Sequence, residues 1–256
     1  MNYFFSDWYY LSIRFIKQIW RPWLALIPAL IFPIFFFWVG TQAFASVAQV
    51  PGFPTESYLL FIAPLAIFTA IFFGAGNAGI ELVVDISSGY FNKLVIMPIN
   101  KLAIIFGKLT EVAVQATLQG LLVLILLVLF TDARPSTGVL GIIAMFAMIV
   151  LFAMAWSNIS MIFALQTKNP RLVQSLFIIV FPFLYITTGQ MPRALMPEPF
   201  HTLVTLNPVT YIIEGARALM LSSWGDPAIL KGFLVSIIMF IALTSVTLYS
   251  FRKILK

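Results

Sequence analysis

Residues 138–165 read GVLGIIAMFAMIVLFAMAWSNISMIFAL, twenty-eight positions without an acidic or basic side chain. A helix rises about 1.5 Å per residue, so this stretch is more than long enough to cross the ~30 Å hydrocarbon layer of a bilayer. Five further apolar stretches accompany it, at 23–45, 60–83, 103–130, 172–189 and 232–251. Lipid offers the backbone no hydrogen-bond partners, so each must be helical. Of the 256 residues, 61% are hydrophobic and 9% charged, too few charges to keep a chain of this size in solution. The sequence predicts an all-α integral membrane protein with six transmembrane helices, in a single domain spanning 1–256.

Orientation follows from lysine and arginine. One set of helix ends holds Arg14, Lys17, Arg21, Lys93, Lys101, Lys108, Lys168, Arg171, Arg252, Lys253 and Lys256; the other holds Arg134, Arg193, Arg217 and Lys231. Eleven against four predicts an inner (plasma) membrane protein with both termini in the cytoplasm. The net charge of +6 then reads as topology and contact with anionic headgroups. Basic residues spread over separate loops do not suit a nucleic acid. Ala43-Phe44-Ala45 has the form of a signal-cleavage site, but the apolar run before it is too long, so the first span is expected to be retained.

Three segments outside the spans carry pattern. Residues 6–21 place Asp7, Arg14, Lys17, Gln18 and Arg21 on one helical face and Trp8, Leu11, Phe15 and Ile19 on the other, which predicts an amphipathic interfacial helix. Residues 85–101 form the longest cytoplasmic loop. Ser87 or Ser88 can cap a short helix there that Pro98 ends. Tyr90, Phe91, Leu94 and Met97 would give it an apolar surface, which suits either a docking site or a helix lying flat on the membrane. Residues 190–231 hold Pro192, Pro197, Pro199, Pro208 and Pro227. Within them Asn207 is a good N-cap, Pro208 a good first helical residue, and Glu214 and Arg217 stand at i, i+3, where they can pair. This segment predicts a helix re-entering the outer leaflet.

Inside the spans, Gly74-Ala75-Gly76-Asn77-Ala78-Gly79 spells a dinucleotide fingerprint, but no strand precedes it. It reads instead as small-xxx-small helix packing through Gly74/Ala78 and Ala75/Gly79. In the first span, Pro28 and Pro33 should bend the helix, and Phe32, Phe35, Phe36, Phe37 and Trp38 either line an apolar path or face lipid and neighbouring helices. Glu81 and Glu111 are the intramembrane carboxylates; Lys108 is close enough in sequence to Glu111 to pair with it, and Lys108 or Lys101 can serve Glu81. These read as structural ion pairs. Catalytic chemistry is not visible: Gly107-Lys108 lacks the rest of a Walker A loop, the single histidine, His201, cannot build a metal site, there is no cysteine, and Asn158-Ile159-Ser160 lies inside a span. No metal, bound cofactor or catalytic residue is expected in this chain.

The order of these features resembles the permease subunits of ABC type-2 (type V) exporters, whose branch handles drugs, lipids and polysaccharides. Two segments carry the resemblance: Glu81…Asp85…Gly89-Tyr90…Lys93-Leu94…Pro98, and Asn207-Pro208-Val209-Thr210-Tyr211…Arg217-Ala218-Leu219. The resemblance implies an ATP-driven exporter subunit that is not itself an enzyme. It implies a dimer with a second permease copy, identical or related, and two copies of a separate ABC ATPase that holds the ATP and Mg. It assigns Asp85, Gly89, Tyr90, Phe91, Lys93, Leu94, Met97 and Pro98 to coupling with that ATPase. It assigns Asn207, Pro208, Tyr211, Glu214 and Arg217 to an outer gate. The implied cargo is a drug, a lipid or a lipid-linked glycan. A secondary transporter or channel would need an ion-coordinating midplane, and a lipid-modifying enzyme would need clustered catalytic groups; neither shows in these spans.

Overall fold

The computed structural model describes residues 4–19, 31, 34–35, 37–55, 57–130 and 135–254. Regular elements among them are all helical: α1 (Phe4–Ile19), α2 (Tyr58–Ser87), α3 (Tyr90–Ile96), α4 (Leu102–Phe130), α5 (Gly138–Thr167), α6 (Pro170–Tyr185), α7 (Phe200–Leu206), α8 (Pro208–Leu221) and α9 (Pro227–Ile254), with 3-10 turns at Ala45–Gln49 and Arg193–Leu195. Four of these, α2, α4, α5 and α9, are long and apolar enough to cross a membrane. Residues 23–30, 32, 33 and 36 of the span expected at 23–45, and with them the Pro28 and Pro33 bends, lie outside the described residues, as do Arg21, Arg134 and Lys256; residues 37–43 of that span are helical.

The expected boundaries shift for local reasons. The helix predicted at 60–83 runs from Tyr58 to Ser87 because the Ser57 hydroxyl caps its start, accepting from Leu60 N at 3.5 Å. The last begins at Pro227 rather than 232, where Asp226 accepts from Ala228 N at 2.9 Å. The stretch predicted to span at 172–189 falls in a helix, Pro170–Tyr185, of 16 residues only, about 24 Å. It stops at Tyr185, and Thr187 then turns the chain, its hydroxyl donating to Leu184 O and accepting from Gly189 N.

α2 is the most enclosed of the long helices, packed against α4, α5, α6 and α8. Its seam with α5 alternates by size. Phe68 lies on Phe152 with ring centroids 4.4 Å apart, and Phe72 stacks on Trp156 at 4.5 Å, whose indole N–H donates to Phe72 O at 3.1 Å. Two turns further on the rings give way to glycine: Gly79 N donates to Ser160 Oγ at 3.1 Å, and a Cβ on Gly79 would fall on the Ser160 backbone. The fingerprint-like glycines thus serve packing, on more faces than the small-xxx-small reading supplies. Gly74 admits the Gln119 carboxamide of α4, Gly76 the Phe177 ring of α6, and Gly79 the backbone of α5. Exposed apolar side chains cover the outward faces of α4 (Ile125, Leu129), α5 (Val139, Ile143) and α9 (Ile238, Ile241), as a lipid solvent requires.

Gly79→Leu should force α2 and α5 apart and lower stability by about 1–3 kcal/mol, the ordinary penalty for overpacking. Gly138→Ala, where a Cβ meets nothing within 4 Å, should cost about 1 kcal/mol through its positive φ alone. Thermal unfolding of the two variants in detergent checks the order.

Candidate functional site

One end of the helix bundle carries α3 between α2 and α4. Gly89, at φ 74°, lets the chain reverse after α2 and start the short helix. The serines do not cap α3 as expected. They close α2 instead: Ser87 Oγ donates to Val84 O and Ser88 Oγ to Asp85 O. α3 ends at Ile96 with Met97 extended, the conformation that a following Pro98 imposes. The Lys101 ammonium folds back onto Leu94 O and Met97 O, two carbonyls near the end of α3, so Lys101 is not the partner of Glu81.

Of the apolar face expected at Tyr90, Phe91, Leu94 and Met97, Phe91 and Leu94 are buried and Met97 is exposed. Leu94 is 2% exposed and Phe91 is buried edge-on against Phe251 of α9, with centroids 5.9 Å apart. Tyr90 turns toward α1, with the Arg14 guanidinium 3.5 Å from its ring centroid. Burial follows from helical period: 91 and 94 fall on the side toward the bundle, leaving Asn92, Lys93, Ile96, Met97 and Pro98 outward. Ile96 is 82% exposed.

α1 braces this end, packing along α4 with Leu11, Phe15 and Ile19 buried. Asp7 accepts from Asn100 N at 2.8 Å, the Trp8 indole donates to Thr110 Oγ1 at 2.9 Å, and Arg14 reaches Asp85 at 3.4 Å. Sequence reasoning gave Arg14 only a place on the polar face. Its role as a bridge between α1, Asp85 and Tyr90 needs three elements to meet. Just inside, Lys108 pairs with both Glu81 of α2 and Glu111 of its own helix, the latter at 2.6 Å. Lys108 is 3% exposed and Glu111 is buried, so the ammonium stands between two carboxylates with little water nearby.

At the opposite end α6 stops, and the chain runs through the 3-10 turn at Arg193–Leu195 and the short helix α7 before α8. Asn207 caps α8 as its sequence indicates, accepting from Val209 N at 3.0 Å with Pro208 at the first position. Its amide also donates to Phe183 O and Ile186 O, at 2.8 and 2.7 Å, satisfying carbonyls that the end of α6 leaves unpaired. Tyr211 donates to Thr205 O at 2.9 Å. The predicted Glu214–Arg217 pair does not form. Arg193 takes the Glu214 carboxylate in a two-pronged grip, Nε and Nη2 at 2.8 and 2.9 Å. Partial burial works against the Arg193 charge, but the hydrogen bonds and charge of Glu214 prevail and hold its pKa above the ordinary value. Arg217 points inward and is 8% exposed. It donates to Phe61 O (3.0 Å), Thr188 O (2.7 Å) and Gly189 O (3.1 Å), with its guanidinium carbon 3.5 Å from the Phe61 ring centroid. Tyr58 joins the same seam by donating to Gln190 O at 3.1 Å.

Beside this seam lies a cavity of about 300 Å³, between residues 37–44, α2 and α6. Phe37, Phe44, Leu65, Phe181 and Tyr185 line its apolar part, and Tyr58 and Gln190 its polar end. Of its walls the sequence marked Phe37, in the aromatic cluster of the first span; most of the rest come from segments distant in sequence. Among the described residues no group of acidic, histidine or cysteine side chains is placed to hold a metal.

Lys108→Met should destabilise the protein by about 3–5 kcal/mol, because it leaves the buried Glu111 carboxylate without its partner. Glu81→Gln, at a half-exposed position, should cost less than about 1 kcal/mol. Denaturant midpoints in detergent separate the two.

Residues 6–221 match the family described as ABC-2 type transporter. The transport permease ycf38 of Porphyra purpurea is 26% identical over 242 residues, 89% of this chain and 82% of the relative. The daunorubicin resistance ABC transporter permease protein DrrB1 of Streptomyces coeruleorubidus is 25% identical over 216 residues, 80% of this chain and 74% of its own. The inner membrane transport permease YhhJ of Escherichia coli (strain K12) is 23% identical over 175 residues, 68% of this chain and 46% of its own. An all-helical bundle with lipid-facing spans, two braced ends and a family match over most of its length leads to one conclusion: the chain belongs to the ABC-2 type transporter family, as a membrane permease.

Proposed function

We propose that the chain is the membrane half of an ATP-driven exporter and binds no nucleotide itself. Two copies of a separate ABC ATPase hold the ATP and Mg, and a second permease copy, identical or related, completes the translocation path. The path runs along residues 37–44, α2 and α6, and the cargo is a drug, a lipid or a lipid-linked glycan. The drug-resistance function in the name of one relative supports that range. The reading keeps six spans, with 23–45 and α6 as the first and fifth. It places α1 as an amphipathic helix at the membrane interface and α8 in a re-entrant outer region spanning 190–231.

The end carrying α1 and α3 faces the cytoplasm of the inner membrane, with both termini on that side. Lys17, Lys93, Lys168, Arg171, Arg252 and Lys253 are all exposed there, which supports that orientation.

The observation that carries the reading is the mounting of α3. This helix of seven residues is clamped on its inner side by Phe91, Leu94 and the Arg14 bridge, and it leaves Lys93, Ile96 and Met97 outward. A coupling element must transmit displacement rather than absorb it. A push on α3 passes to α1 through Tyr90 and Arg14, from Arg14 on to Asp85 of α2, and to α9 through Phe91 and Phe251. ATP-driven closure of the ATPase pair then shifts the spans between inward- and outward-facing packings. At the far end Asn207, Pro208, Tyr211, Glu214 and Arg217 hold the outer gate.

Ile96→Asp should abolish or reduce at least about tenfold the co-purification of the partner ATPase, while the permease stays monodisperse and keeps its melting temperature, because that side chain touches little of its own fold. Leu94→Asp should instead unfold the protein. Unchanged co-purification with Ile96→Asp would exclude α3 as the docking element.

A further inference from the structure

We infer that the cavity between residues 37–44, α2 and α6 binds an amphiphile with an anionic head, the head toward Tyr58 and Gln190 and the tail among Phe37, Leu65, Phe181 and Tyr185. This rests on the transport reading above and narrows its cargo. The volume, about 300 Å³, is at the lower end of small-molecule sites, so it holds one chain or ring system and not a polymer. Its tail region is walled by aromatic rings that contact an apolar body without demanding hydrogen bonds.

The sign of the head follows from charge. Arg217 lies one residue behind the cavity wall on two segments: it binds Phe61 O, next to the lining residue Ile62, and Gly189 O, next to the lining residue Gln190. Tyr58, at the cavity's polar end, is within electrostatic reach of it. The hydrogen-bond partners of Arg217 are neutral carbonyls, which satisfy its donors and leave its charge in place. Among the described residues Glu214 is the carboxylate within reach, and Arg193 already neutralises it. Among those residues the local sum of Arg193, Glu214 and Arg217 is one positive charge beside an apolar space. Such a charge acts over several ångströms with little screening by water, attracting an anion and repelling a cation. Burying a guanidinium without a carboxylate partner costs solvation free energy, which an anion bound nearby would offset.

The test uses the full-length chain in phosphatidylcholine nanodiscs and three tail-matched probes: octyl phosphate, octyl glucoside and octyltrimethylammonium. Isothermal titration of each is compared with that of Thr69→Phe, which fills the cavity from α2, so that partition into the bilayer subtracts out. Octyl phosphate should show the tightest cavity-dependent binding, on the order of tenfold over octyltrimethylammonium. Gln190→Glu places a compensating carboxylate on the wall without touching the Arg217 carbonyl grip, and it should erase or reverse that preference. Equal binding of the three probes, or an unaltered ranking in Gln190→Glu, overturns the charge assignment. Binding undiminished by Thr69→Phe overturns the site. Displacement of octyl phosphate by phosphatidylglycerol would identify the occupant as a bilayer lipid, and failure to displace it a transported amphiphile; both carry the anionic head. Ile96→Asp should leave this binding unchanged while losing the ATPase, so the cavity and the transport reading fail separately.

Discussion

The close contact between α2 and α5 is the constraint on which the other packing depends. α2 is walled in by four helices, so it has no face on which to place bulk freely. At one level the seam is filled by paired rings, Phe68 on Phe152 and Phe72 on Trp156. Toward α3 the backbones approach until Gly79 N reaches Ser160 Oγ. Between helices in lipid there is no water to expel, so association rests on this kind of intimate van der Waals fit and on hydrogen bonds such as the Trp156 indole to Phe72 O. With α2 fixed, its two ends become fixed supports for everything attached to them.

Those ends solve the same problem with opposite chemistry. Near α3 the chain gathers full charges: Lys108 between Glu81 and Glu111, and Arg14 against Asp85 and Tyr90. Charge pairs make a stiff bracket where water can still reach the outermost members. Near α8 the difficulty is carbonyls left unpaired where α6 ends early. Asn207 and Arg217 supply the missing donors. One arginine thus holds three carbonyls from two separate segments, and its charge remains for use beside the cavity.

Much of this was legible in the residues. Apolar length identifies the four long spans α2, α4, α5 and α9, Asn207-Pro208 marks the start of α8, and the i, i+3 spacing of Lys108 and Glu111 anticipates their pairing. The misreadings share one cause. Phe91 and Leu94 looked like a docking surface because a short loop helix was read without the helices behind it, and α9 in fact covers Phe91. Glu214 and Arg217 looked paired because they are neighbours on one helix, whereas Arg193, far along the chain, offers Glu214 a planar two-bond grip that an i, i+3 neighbour does not match.

The sequence by itself determined that this chain lives in lipid, where its helices begin and end to within a turn or so, and which few polar groups had to find partners. Those properties follow from local hydrophobicity, capping and charge, which need no knowledge of neighbours. Only the tertiary structure decided which partners they found, which face of α3 points outward, and that a cavity opens beside a buried arginine. Each depends on segments distant in sequence meeting in space, and side-chain spacing along one helix carries no record of what lies across from it.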